Sequence, residues 1–266
     1  MSALVANLAS SRFFAHAVAA EVEYNTLLPV DADPDQPLPL ILHLHGAMSS
    51  AASLERSRPA YEAAWAAGQL PAALVVTAST PTEGGFYIDY PGGPSWETLV
   101  AEELPRHLGE RHRLAQQSAV LGFSMGGYGA LKMALRHPRA FQAVAALCPT
   151  IFPAERPDEV PERNRPSVLG KLNEAMRSAG YTAASVHGIV RGNAAALRAA
   201  GPRIYFDCGD ADEFNLHDGA SHLHRLMLDL SIPHQFRSIA GAGHADQHAA
   251  ARQADAIRFI GAALGG

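Results

Sequence analysis

Strand-like and helix-like stretches alternate along this chain, and the spacing of apolar positions tells them apart. Ala20 to Leu28 reads as an early strand, and Asp31 to Gln36 after it is an acidic turn containing a proline. Leu38-Pro39-Leu40-Ile41-Leu42-His43-Leu44 is an almost unbroken apolar run, the pattern of a buried strand, and it runs into His45-Gly46. Ser53 to Ala67 is helix-like and Ala72 to Thr77 is a second short buried strand. Pro81 to Trp96 is a long loop marked by its glycines and prolines. Its aromatics would be conspicuous in solvent. They are expected either to line the mouth of a pocket or to pack the loop, through Tyr87, Tyr90 and Trp96, onto the core. Thr98 to Leu108 reads as a helix kinked near Pro105.

The pattern resumes with the apolar run Ala119-Val120-Leu121, a helix-compatible run from Tyr128 to His137 closed by Pro138, and a strand from Phe141 to Leu147. Arg203 to Cys208 and Pro233 to Ile239 supply two further strands. Ala254, Ile257, Ile260 and Leu264 then recur at helical spacing, giving a closing helix with one buried face. Only Thr150 to Ala200 breaks the alternation. It holds an acidic proline-rich part from Glu155 to Pro166, a helix-like part from Val168 to Ser178, and a polar connection to Asn193.

Between the Ala119 run and the Tyr128 run lies Gly122-Phe123-Ser124-Met125-Gly126-Gly127. A G-x-S-x-G between strand and helix is the nucleophile elbow of α/β-hydrolases, in which a strained turn lifts the serine clear of the sheet. Bulky neighbours would collide there, so Gly122 and Gly126 are needed for what they lack. In this fold an acid and then a histidine follow the serine in chain order. Asp207, Asp210, Asp212 and Glu213 all lie near one strand end, and Gly241-Ala242-Gly243-His244 follows the last strand. Asp212 is preferred, because it stands far enough past Gly209 to reach over the sheet edge. His244 is preferred to His248, which lies a helical turn later. The expected catalytic set is Ser124, Asp212 and His244. The expected oxyanion donors are the backbone amides of Ala47, after the His45-Gly46 strand end, and Met125. His45, Tyr87, Asp89 and Trp96 are the candidates for contact with substrate.

These residues resemble one family. Gly122 to Leu131 is similar to the elbow of the esterases that include esterase D, S-formylglutathione hydrolases, feruloyl esterases and the antigen 85 mycolyltransferases. Leu44-His45-Gly46 resembles the oxyanion strand of that family, Gly209-x-x-Asp212-x-Phe214 its acid loop, and Ile232-Pro233-His234-x-Phe236 with Gly243-His244 its last strand and histidine turn. The likeness runs from about Glu21 to the end. It implies an α/β-hydrolase fold over residues 1–266, a mostly parallel central sheet flanked by helices, with 150–200 as a modest cap. It also implies ester or thioester hydrolysis through an acyl-serine. The chain departs from the family where many relatives carry a tryptophan soon after the histidine, since Ala245-Asp246-Gln247 stands there. It also lacks the Trp- and Cys-bearing oxyanion segment of formylglutathione hydrolases, which argues against that substrate.

Composition narrows the alternatives. The chain has 266 residues, 48% of them hydrophobic, enough to bury a large core. Its net charge of −5 and the lack of any basic run leave nucleic acid no footprint. No apolar stretch is long enough to span a membrane. The alanine-rich stretch Met1 to Ala20 is broken by Asn7, Ser10, Ser11 and Arg12 and reads as mature sequence, so a cytoplasmic protein is expected, with secretion left open. Cys148 and Cys208 fall at neighbouring strand ends and read as buried thiols. The 13 histidines invite a metal reading through His43-x-His45. However, Ala47 and Met48 stand where that motif needs Asp and His, and His217, His222 and His224 lack a regular ligand spacing. No metal and no cofactor is expected. The expectation is a serine carboxylesterase for small to medium acyl esters, with an acyltransferase as the alternative and a homodimer compatible with either.

Overall fold

The chain's computed structural model describes residues 6–165 and 168–265. The first five residues of the alanine-rich stretch and Pro166, the end of the acidic part, lie outside them. The chain begins with a hairpin, β1 (Ala6–Ala15) paired antiparallel with β2 (Ala20–Pro29). The sequence reading had only β2. In β1, Asn7, Ser10, Ser11 and Arg12 interrupt the apolar run because this is an edge strand with a solvated face, while Ala6, Phe13 and Ala15 are buried.

β3 (Leu38–Leu44) leads to helix α1 (Ser53–Ala66), and β4 (Leu74–Ala78) follows. After the long loop come α2 (Trp96–Thr98), a π turn (Leu99–Glu103) and α3 (Leu104–Gly109). The irregularity expected near Pro105 takes the form of that π turn, in which the Leu104 N–H donates to the Leu99 carbonyl five residues back. β5 (Leu114–Phe123), α4 (Met125–Arg136) and β6 (Ala143–Leu147) surround the serine. The chain ends with α5 (Val168–Ser178), α6 (Tyr181–Ala184), α7 (Val186–Ala200), β7 (Arg203–Gly209), α8 (Leu216–Asp229), β8 (Gln235–Ile239) and α9 (Ala249–Leu264).

The eight strands form one sheet in the order β1-β2-β4-β3-β5-β6-β7-β8, parallel from β4 through β8. β2 meets β4 antiparallel. Helices cover both faces, and one apolar cluster lies on each side. This is an α/β-hydrolase fold. Every parallel strand points its C-terminal end to the same edge, so the residues just past β3, β5, β7 and β8 are brought together there.

Residues 150–200 correct the sequence reading in one respect. The stretch read as a polar connection to Asn193 is the amphipathic helix α7, which buries Val186, Ile189, Val190 and Leu197. Ser185 caps it, its Oγ accepting the Gly188 N–H at 2.9 Å. Arg191, Gly192 and Arg198 on the outer face hide that periodicity. α7 is the crossover between β6 and β7 and packs on α4, whereas α5 borders the serine's cavity through Leu169 and Lys171.

α4 is buried along nearly its whole length, including Lys132. Burial pushes the Lys132 ammonium down, and its ion pair with buried Glu97 opposes that shift. Glu97 also lies 3.2 Å from Arg136. Removing one partner of a buried pair leaves an uncompensated charge, so Glu97→Ala is expected to cost about 3–5 kcal/mol. Urea unfolding reads this loss, and pairing Glu97→Leu with Lys132→Met should recover most of it.

Candidate active site

Ser124 follows the last residue of β5 and precedes the first of α4, with φ 57° and ψ −117°. A residue other than glycine holds such angles only when its surroundings impose them. Here the Ser124 N–H donates to the Leu147 carbonyl at 2.9 Å, tying the turn to β6. A Cβ on Gly122 would lie 2.1 Å from the Gly126 carbonyl oxygen, and one on Gly126 would lie 2.0 Å from that of Leu44. Backbone occupies both positions, so no side chain fits. The glycines let β5, the turn and β3 touch.

The structure brings Ser124, His244 and Asp212 into one line. Ser124 Oγ lies 3.0 Å from His244 Nε2, and His244 Nδ1 lies 2.7 Å from Asp212 Oδ2. An ionised carboxylate only accepts, so Nδ1 carries the proton and Nε2 faces the serine with a free lone pair. Asp212 is 5% exposed, and its Oδ1 accepts the Phe214 N–H at 2.9 Å and, more weakly, the Leu216 N–H at 3.4 Å. Burial would raise the Asp212 carboxyl, but His244 and those two amides outweigh it and hold it below its ordinary range. Burial likewise opposes protonation of His244, yet the Asp212 hydrogen bond, with contributions from Cys148, raises it to about 9. The imidazole sits between Phe123 and Phe214, whose ring centroids are both 4.9 Å away.

Neighbours that no motif announces steady this line. Glu213 Oε2 accepts the His244 N–H at 2.8 Å, and Asp246 Oδ2 accepts that of Gly243 at 2.7 Å, so two carboxylates hold the histidine turn by its backbone. Thr150 Oγ1 is 3.4 Å from Ser124 Oγ. The other acids are engaged elsewhere. Asp207 pairs with buried Arg252 and accepts from Tyr205, while Asp210 Oδ1 accepts the Gly241 N–H at 2.7 Å, bracing the adjoining loop rather than its own backbone. The His248 ring has no hydrogen bond to Ser124 or Asp212, and the residue stands at the N-cap of α9.

Ser124 and His244 open onto a cavity of about 530 Å³, walled by Gly46, Ala47 and Phe123 on one side and by Leu169, Phe214 and Leu216 on another. Thr82, Glu83 and Lys171 reach its edge, and Glu83 pairs with Lys171 across it. Among the described residues, the backbone amides of Ala47 and Met125 find no acceptor.

The four residues expected to touch substrate do not line this cavity. His45 is 1% exposed, with Nδ1 donating to the Gly46 carbonyl at 2.8 Å and Nε2 accepting the Thr80 N–H at 3.0 Å. Tyr87 is fully buried against Gly129, and its hydroxyl donates to the His45 carbonyl at 3.1 Å. Trp96 is packed half-buried against the core. Asp89 accepts the N–H groups of Glu97 and Thr98 and the Thr98 hydroxyl, at 2.7–3.1 Å, capping α2. Of the two roles open to the loop's aromatics, packing is the one seen, and only Thr82 and Glu83 of the loop reach the cavity. Asp89→Ala should therefore cost about 1–2 kcal/mol in stability, measured by thermal unfolding, with KM unchanged.

Three of the other histidines suggested as ligands have partners of their own. His43 meets Tyr61 at 2.9 Å, His217 meets Ser238 at 3.0 Å, and His224 meets His234 at 2.8 Å.

By its family, the chain is a hydrolase acting on ester bonds. It belongs to the esterase family: residues 15–256 match the family described as "Putative esterase". Among solved structures, a ferulic acid esterase superposes with a TM-score of 0.80 at 22% identity, covering 97% of this chain and 98% of the other. An S-formylglutathione hydrolase from Agrobacterium tumefaciens gives 0.79 at 19% identity, covering 99% and 98%. Fluorophosphonate-binding serine hydrolase F of Staphylococcus aureus gives 0.71 at 18% identity, covering 95% and 96%. In sequence, the MPT51 antigen of Mycobacterium leprae is 35% identical over 77 residues, a match spanning 27% of this chain and 26% of that protein's length. Among the described residues, no helix is long and apolar enough to cross a membrane.

Proposed function

We propose that this esterase is a serine carboxylesterase for small to medium acyl esters, with Ser124, His244 and Asp212 as its triad. The observation that carries the reading is the unbroken hydrogen-bonded line from Ser124 Oγ through His244 to Asp212, open at its serine end to a cavity with mostly apolar walls. His244 Nε2 takes the hydroxyl proton as Ser124 Oγ attacks the ester carbonyl. The amides of Ala47 and Met125 receive the developing oxyanion, having no acceptor of their own to give up. His244 then returns the proton to the leaving alcohol. Water repeats the sequence on the acyl-serine and releases the acid. Asp212 holds the tautomer and stabilises the imidazolium throughout.

A series of p-nitrophenyl esters from acetate to decanoate, assayed with and without a competing alcohol, tests the reading. Turnover is expected across the short and middle lengths, and a fluorophosphonate should label Ser124 alone. Labelling elsewhere overturns the assignment. A product partition dominated by the alcohol ester would make the protein an acyltransferase.

The raised His244 sets the pH dependence. Only the neutral imidazole accepts the serine proton, and its share grows as pH climbs through the folded-state value. The rising limb of kcat/KM is therefore expected above 6.5, displaced toward 9. A limb centred below 6.5 contradicts the Asp212–His244 pairing.

A further inference from the structure

Directly beneath the triad lie two thiols that the proposed reaction does not use. Cys148 and Cys208 follow paired residues of the parallel neighbours β6 and β7, and both are fully buried. Their sulfurs are 3.7 Å apart, neither is in a disulfide, and Cys208 Sγ is 3.8 Å from Asp212 Oδ2. That oxygen is the one that accepts from His244 Nδ1.

Two thiolates bound at about 2.3 Å to a tetrahedral ion lie about 3.8 Å apart, and a thiolate and a carboxylate oxygen about 3.6 Å. The ligand atoms of Cys148, Cys208 and Asp212 all lie within 4.8 Å of one another, close to those edges. The backbone already sets this triangle, so an ion entering it would need little rearrangement. Sulfur ligands select soft or borderline cations over Mg²⁺ and Ca²⁺.

We propose that Cys148, Cys208 and Asp212 form an inhibitory site for a thiolate-preferring divalent cation of the zinc–cadmium class. Binding ligates both sulfurs and Asp212 Oδ2, and the thiol protons leave to solvent with no change of oxidation state. His244 loses the acceptor that fixes its tautomer, and turnover stops. Arg252 bears on this site, because its Nη2 lies 2.7 Å from Cys148 Sγ. It favours the thiolate, and its own counter-ion is Asp207 rather than Asp212. Two sulfurs, deprotonated as the ion binds, and a carboxylate thus hold the dication while the Arg252–Asp207 pair stays intact.

The inhibition rests on the triad reading above, whereas the binding does not, and the test separates them. The reduced full-length protein is titrated with Cd²⁺ under argon, following ester turnover and the ultraviolet charge-transfer band of cadmium bound to thiolate. The expected result is a band that grows in step with the loss of turnover, and EDTA reversing both. Cys208→Ala, compared with its own metal-free rate, should need at least about tenfold more Cd²⁺ for half-inhibition and show a weakened band. Mg²⁺ should do neither. Equal sensitivity of Cys208→Ala, or inhibition without a thiolate band, overturns the site. So does inhibition that persists with EDTA and yields only to dithiothreitol, which would mark oxidation to a disulfide. A full band with undiminished turnover overturns the inhibitory role. Failure of the triad reading itself registers separately, as an Asp212→Asn enzyme that stays active without metal.

Discussion

Ser124→Ala is expected to lower kcat by a factor on the order of 10⁶, the loss seen when a serine hydrolase is stripped of its nucleophile. The methyl group fits where the hydroxyl was. The turn is held by backbone bonds, the residue 124 N–H donating to the Leu147 carbonyl and the Tyr128 and Thr150 N–H groups donating to the residue 124 carbonyl. The elbow should stay formed, so urea unfolding should show near-parental stability while single-turnover assays show no acyl-enzyme. KM should change little, because the cavity walls are untouched. Near-normal turnover in this variant would remove Ser124 from the reaction and the proposed mechanism with it.

Asp212→Asn is expected to cost a factor on the order of 10⁴ in kcat. The reason is directional. Oδ1 of Asp212 accepts two backbone N–H groups, from Phe214 and Leu216, and these pin the oxygen side of any amide placed there. The amide nitrogen must then face His244 Nδ1, where it can only donate. His244 would respond by moving its proton to Nε2, and a protonated Nε2 cannot accept from Ser124. Asp210→Asn makes the contrast, since its carboxylate accepts from the Gly241 N–H and not from His244, and it should cost stability and little rate. The rising pH limb of residual activity in Asp212→Asn should also fall toward ordinary imidazole values, because the group that chiefly raises His244 is gone. Equal losses in Asp210→Asn and Asp212→Asn would replace the single acid with a shared network.

Much of this was legible in the chain. Strands β3, β6 and β7 read as short apolar runs because parallel strands covered on both faces need apolar residues at every position. The elbow was legible because its glycines stand at a fixed spacing around the serine: the Gly126 carbonyl closes the Gly122 position, and the Leu44 carbonyl of β3 closes that of Gly126. Chain order led to Asp212 and His244, since the topology decides which strand ends share an edge. β1 was missed because an edge strand with a wet face dilutes its apolar signal. α7 was missed because polar residues fill its outer face.

The sequence by itself determined the parallel strands, the elbow and the candidates for each chemical role, which follow from apolar periodicity, motif spacing and chain order. Tertiary structure decided how the remaining polar and aromatic residues are used. Asp89, Tyr87 and His45 look like pocket residues in a glycine-rich context, yet each has a backbone partner that only folding supplies: the first amides of α2, the His45 carbonyl and the Thr80 N–H. Glu213 and Arg252 carried no motif, because holding a histidine turn or pairing with Asp207 requires nearness across dozens of residues. Cys148 and Cys208, 60 residues apart, read from the sequence as lying at neighbouring strand ends, and folding brings their sulfurs within 3.7 Å. A residue's type fixes which bonds it can make. Which of them it makes is settled by the partners that the packed sheet brings within about 3 Å.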